Sequence, residues 1–281
     1  MSVVNIIERS KELLDNLQKY DKVLYDAIND ILSENTKNGI VSLDNKTLAQ
    51  IEDILLEYLK DTKYFNDVDE YLKLFSVISN ENFQRQVEIN NLKLSRIKDL
   101  WQKNSNKTLL EQKALYYLKG NGLKNNYIQA VGDLVREQHF LGQDFKTAKN
   151  LLKEKLVTKS ISQRYVNQTV IDTMRTYSGA FNDEIKQTFG FKNFLYVGDL
   201  LETSRPFCTI IVDKYKGRVT EDEMKKLLNE YCPNGTPSES KILIDGNKVK
   251  KGAGMYKDTT IDNICTNCGG FGCRHDCYPT K

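Results

Sequence analysis

Gly190-Phe191-Lys192-Asn193-Phe194-Leu195-Tyr196-Val197-Gly198-Asp199 is the stretch at which the chain changes character. Phe194 to Val197 is short, rich in aromatic and β-branched residues, and bounded by turn formers, which predicts a strand. Upstream of it, apolar positions recur at three- and four-residue spacing, as in Ile6, Ile7, Leu13, Leu14 and Leu17, or Leu48, Ile51, Ile54, Leu55 and Leu59. That period predicts helices almost throughout. Downstream, Phe207 to Val212 and Lys241 to Ile244 have the texture of further strands. Residues 221 to 231 suit one more helix, with Thr220 as N-cap and Glu223 as its capping-box partner. The expected fold class is α+β: a mainly helical region over 1–120, a helical connector with a long helix over 121–190, and a small cysteine-rich α+β domain over 191–281.

Within the helical part, the spacing predicts helices over about 3–19, 22–33, 46–60, 65–79, 82–103, 107–118, 126–140, 144–156 and 160–188. Asp44 or Asn45 can cap the third of these. Residues 35–39 and 119–122 are polar and glycine-containing, so both are expected as loops, the second as a hinge. On the long helix, Tyr165, Val166, Val170, Ile171, Met174, Tyr177 and Phe181 form an apolar side that belongs in a core. Asp245-Gly246-Asn247 suits a tight turn, and the tail from Gly252 is expected to be irregular.

The 281 residues are 28% charged and 40% hydrophobic, with 16 glycines and 4 prolines, a composition that excludes collagen-like and low-complexity classes. No apolar run approaches the roughly 18 residues of a membrane span, and no signal-peptide layout opens the chain. Charge is uneven: 13 basic against 18 acidic residues over 1–100, but 15 against 9 over 101–200. The basic excess is spread along helical positions, as on a solvated surface, rather than gathered in a nucleic-acid-binding block. There is no Walker loop, dinucleotide fingerprint, His-Glu-x-x-His zinc helix or nucleophile elbow. His139, near a helix end, suits a structural role.

None of the six cysteines precedes Cys208, and four of them, Cys265, Cys268, Cys273 and Cys277, fall within the last 17 residues. A Cys-x-x-Cys turn presents two thiolates at the span a tetrahedral Zn²⁺ needs, and Cys273 with Cys277 or His275 can complete the set. Those four cysteines are the expected ligands of a structural zinc, with Cys208 an alternative member if its segment packs near the tail. Buried thiols or a disulfide are the competing reading. Arg274-His275 has the residue types for general acid–base work beside a cation, although a structural hydrogen-bonding role suits the pair better. The segment Asp199 to Cys208 places two carboxylates, two hydroxyls and Arg205 between strand-like runs; it suits an active-site loop or a self-capping turn.

Taken together, Thr203-Ser204-Arg205-Pro206-Phe207-Cys208 and Gly269-Gly270-Phe271-Gly272-Cys273-Arg274-His275 resemble the C-terminal domain of tailed-phage minor head proteins, the phage Mu F-like head morphogenesis family. In that family a long helix leads to a short strand, a Thr-Arg-Pro-x-Cys-like loop and a Gly-Gly-x-x-Cys-Arg-His ending with a proline soon after; here Pro279 follows. The resemblance covers roughly residues 120–281. This chain departs from it in having Arg175-Thr176-Tyr177 where the family often has Arg-Thr-Glu, and in carrying Cys265, Cys268 and Cys277 beyond the usual pair of cysteines. The resemblance implies a virion component at the head or portal vertex, assembled in the host cytoplasm and acting in head assembly or DNA delivery. Its implied partners are the portal protein and other head proteins, with packaged DNA as a further contact. Relatives are also compared with nuclease or toxin folds, in which Arg205, Arg274 and His275 would have to act.

Overall fold

The computed structural model describes residues 11–158, 161–201, 204–244, 247–269, 273 and 275–281. It is mainly helical, with small antiparallel sheets, an α+β fold. In chain order the helical part comprises α1 (Lys11–Glu34), the short strands β1 (Thr36–Lys37) and β2 (Ile40–Val41), α2 (Asn45–Lys60), α3 (Tyr64–Asn90), α4 (Leu94–Gln102), α5 (Ser105–Lys119), α6 (Gln129–Phe140), α7 (Phe145–Lys153) and α8 (Ile161–Phe189). Then follow β3 (Asn193–Val197), α9 (Pro206–Asp213), β4 (Arg218–Thr220), α10 (Glu221–Tyr231), β5 (Glu239–Ile244), β6 (Asn247–Gly252), α11 (Ile264–Asn267) and β7 (Asp276–Thr280). These elements gather into two compact units, one of Ser10–Lys73 with Gln112–Val170, the other of Leu74–Glu111 with Ile171–Lys281.

In the first unit, Leu17, Leu24, Ile28 and Leu32 of α1 and Ile51, Leu55 and Leu59 of α2 are fully buried, the outcome that their spacing predicts. Asp44 caps α2 by accepting the Thr47 N–H at 2.7 Å. The break expected at 20–21 does not occur, because Asp21 caps nothing: its buried carboxylate accepts the Tyr127 hydroxyl at 2.8 Å, and α1 runs straight through. Residues 35–39 are not a plain loop but open a two-stranded hairpin. The expected hinge at 119–122 is largely helical as well: only Gly120 leaves helical backbone, and a π-helical turn, Lys124–Ile128, with Tyr127 and Ile128 buried, runs into α6. His139 has the structural role expected of it, its Nδ1 accepting the Leu43 N–H at 3.0 Å.

The second unit is built around α8. Its apolar side buries Met174, Tyr177 and Phe181, and Trp101 packs edge-on against both aromatic rings. The Tyr177 hydroxyl joins Ser79 at 2.7 Å and receives the Trp101 indole N–H at 3.1 Å. The helix boundary expected at 80–81 is displaced for this reason. Ser79 and Asn82 are drawn into the core, and α3 continues to Asn90, ending at Asn91 with φ 52°.

Strand β3 lies in the middle of a three-stranded antiparallel sheet, order β4–β3–β7, pairing Asn193 with Thr280 through to Val197 with Asp276. Two expectations are corrected here. The tail is irregular only in part, since it carries the short helix α11 and ends in β7. The segment Phe207 to Val212 is helix α9 rather than a strand: Pro206 sits at the first helical position, where a missing N–H is harmless, and the buried set Phe207, Cys208 and Ile211 follows helical, not alternating, spacing. The capping box of α10, Thr220 with Glu223, is as predicted. Strand β5 pairs with β6 as a hairpin, whose turn at 245–246 lies outside the described residues. Among the described residues no helix is long and apolar enough to cross a membrane.

Gly179 sets how closely the tail approaches α8. A Cβ at this position would lie 2.3 Å from the Cys265 carbonyl oxygen and 2.5 Å from the Thr266 Cα, so α11 can dock only because the side chain is absent. Gly179→Ala is expected to destabilise the protein by about 1–3 kcal/mol through this overpacking. A lower urea midpoint with unchanged slope is the signature; an unshifted midpoint would show that α11 does not pack there.

Candidate metal centre

Three elements bring chemistry-bearing side chains to one point. Strand β3 supplies Tyr196, α9 supplies Cys208, and the segment entering β7 supplies Cys273 and His275. The sulfurs of Cys208 and Cys273 are 3.8 Å apart, and Cys273 Sγ lies 3.4 Å from His275 Nδ1. Among the described residues, Cys208, Cys273 and His275 form a group whose ligand atoms all lie within 4.8 Å of one another. The Tyr196 ring stacks on the His275 imidazole, centroids 5.0 Å apart, and its hydroxyl touches Cys208 Sγ at 3.2 Å and Cys273 Sγ at 3.8 Å. His275 is 4% exposed, and its Nε2 finds no hydrogen-bond partner among the described residues. The residue types and spacing are those of a site that can hold a metal ion.

The proton on the thiol pair is unevenly shared. A hydrogen bond from Cys208 and the nearby His275, working against burial, hold Cys273 well below the usual thiol range; the same hydrogen bond together with burial pushes Cys208 well above it. Of the two thiols, Cys273 is the one the site disposes toward the thiolate, the form that ligates metal. Gly269 abuts it: a Cβ there would lie 2.1 Å from Cys273 Sγ, and the residue takes φ +78°, so only glycine fits.

The tail's remaining cysteines lie deeper. Cys265 Sγ donates to Cys277 Sγ at 2.8 Å, and burial pushes Cys265 up to about 12. Cys268 is buried and contacts the Cys265 carbonyl at 3.8 Å. Of the four cysteines expected as ligands, the fold therefore brings Cys273 to Cys208 and His275, and Cys265 to Cys277. Cys208 was the alternative member at sequence level; it is drawn in on a helix rather than on a strand. The Arg205 guanidinium donates to the Gly269 carbonyl, tying the loop before α9 to the cysteine turn. Ser204 closes that loop locally by accepting the Leu201 N–H at 2.8 Å. Arg274 lies outside the described residues.

Sequence inspection missed the polar side of α8. Arg175, Ser178, Asn182 and Asp183 are all buried; Ser178 bonds the Asn82 side chain, and the other three hold the backbone of the tail. Arg175 Nη1 donates to the Cys268 carbonyl at 2.7 Å and Asn182 Nδ2 to the Cys277 carbonyl at 2.8 Å. Asp183 accepts the N–H groups of Cys265 and Thr266, each at 2.9 Å, and burial still pushes it up to about 6. Burial works against the charge on Arg175, but Tyr256, Cys268 and Cys273 more than offset it and hold the group above its usual value.

No known protein family, curated protein or solved structure matches the chain. The site's chemistry is testable directly. Protein purified under reducing conditions should carry about one metal ion per chain by elemental mass spectrometry, lost in Cys208→Ser and kept in Cys232→Ser, whose thiol contacts the Tyr256 carbonyl at 3.7 Å instead. Equal metal content in both variants would show that the ion sits elsewhere.

Proposed function

We propose that the chain is a minor head protein of a tailed bacteriophage, associated with the portal or inner capsid, whose C-terminal part is held together by a structural Zn²⁺. The supporting observation is that the two segments carrying the family resemblance, far apart in sequence, meet in one core. Arg205 of the first reaches the Gly269 carbonyl of the second, and Cys208 of the first lies 3.8 Å from Cys273 of the second. A shared core is what an ordered pair of motifs in one domain would require.

Zinc is favoured by geometry. Tetrahedral bonds of about 2.3 Å to sulfur and 2.0–2.1 Å to nitrogen set ligands about 3.8 Å apart for two sulfurs and about 3.5 Å for a sulfur and a nitrogen. The observed separations are 3.8 and 3.4 Å. The nuclease-like alternative is less well supported, because His275 is buried between Tyr196 and Cys273 and the described Arg205 donates to backbone.

Co-sedimentation with purified portal protein, together with detection in mature particles, is the expected result. Failure of both would remove the assembly reading, and loss of nucleic-acid cleavage in His275→Ala would install the enzyme in its place.

A further inference from the structure

Arg175 is a buried cation whose hydrogen-bonding groups the described residues satisfy only in part. It is 2% exposed, its Nη1 is taken by the Cys268 carbonyl, and its Nε and Nη2 find no hydrogen-bond partner among the described residues. Its Cζ lies 5.2 Å from the Tyr256 ring centroid, and the groups that face it electrostatically are Tyr256, Cys268 and Cys273, with the buried Asp276 also feeling its charge. A buried guanidinium is costly unless an anion stands beside it, and the thiols of Cys268 and Cys273 are among the groups placed to supply one.

We propose that Arg175 is the counter-charge of a four-ligand metal centre in which Cys268 adds a third thiolate to Cys208, Cys273 and His275. This rests on the reading that the site holds a divalent metal, and it names the ligand and the charge partner that complete it. The charge count favours it. A divalent ion with two thiolates and a neutral imidazole is neutral and needs no counter-ion. A third thiolate makes the centre −1, and one buried guanidinium restores neutrality. Cys268 lies beside the group of Cys208, Cys273 and His275 rather than within it: its thiol contacts the Cys265 carbonyl at 3.8 Å, and ligation requires it to turn toward Cys273. It is fully buried, Arg175 grips its own carbonyl at 2.7 Å, and the next residue, Gly269, is the one pressed against Cys273 Sγ. The Cys268 thiol also faces that of Cys277, a contact that ligation would replace. The competing fourth ligand is the Tyr196 hydroxyl, which lies 3.2 and 3.8 Å from the two sulfurs.

The test uses the full chain, stripped of metal under reducing conditions and titrated with Co²⁺ alone, which is then displaced by Zn²⁺. Cys268→Ser should lower the thiolate-to-cobalt charge-transfer intensity by about one third and weaken Zn²⁺ binding. Arg175→Met should leave the cobalt spectrum unchanged while weakening Zn²⁺ by about tenfold or more, with Arg175→Lys recovering part of the loss. Far-UV circular dichroism of each variant distinguishes lost affinity from lost fold, and Arg175→Lys keeps the charge test decisive should Arg175→Met unfold. An unchanged spectrum in Cys268→Ser with a changed one in Tyr196→Phe would overturn the ligand assignment. Undiminished Zn²⁺ affinity in Arg175→Met would overturn the counter-charge. Absence of any cobalt binding by the unaltered protein would instead remove the metal reading on which both rest.

Discussion

A buried segment of irregular backbone must find partners for its N–H and C=O groups, and in this protein a single helix provides them. Arg175 and, two turns further along α8, Asn182 and Asp183 bind the carbonyls of Cys268 and Cys277 and the N–H groups of Cys265 and Thr266. Asn90, at the end of α3, adds the Pro279 carbonyl. With its backbone satisfied in this way, the tail can lie in the core and close the sheet through β7. The cysteines are placed as a consequence: α11 carries Cys265 against Asp183, and the segment entering β7 carries Cys273 and His275 to Cys208.

Which parts of this were legible in the sequence follows from which forces acted locally. The helices of the first unit follow their apolar period because Leu17, Leu24, Ile51, Leu55 and others simply turn inward. The caps at Asp44 and Thr220 are local hydrogen bonds and are readable for the same reason. Misplaced boundaries are those decided by distant partners, such as Asp21, held by Tyr127. Helix α9 was misread because Ile210-Ile211-Val212 has strand composition, while the determining feature is Pro206 with the spacing of Phe207, Cys208 and Ile211. The polar stripe of α8 has helical spacing and was visible, but such a stripe usually faces water. Nothing in one sequence indicates that a cysteine-rich tail will lie over it.

The candidate site was half legible. The clustering of cysteines announced a metal chemistry, and Cys208 stood as a possible ligand. The partition of the thiols between Cys208–Cys273–His275 and Cys265–Cys277 depends on β7 pairing with β3, which places Tyr196 opposite Cys277 and leaves Cys273 just beyond the strand end. A metal here would staple the loop before β7 to α9, a stabilising role separable from any role in particle assembly. The family resemblance and the staple meet only in the residues they share, Cys208, Cys273 and His275.

X-ray absorption at the metal edge of the purified, reduced protein tests the central claim most directly, because it reports ligand type and distance without perturbing the chain. The account predicts zinc with a sulfur shell at about 2.3 Å and a single light-atom neighbour at about 2.0–2.1 Å. A shell of oxygen and nitrogen alone, or protein that carries no metal at all, would contradict it.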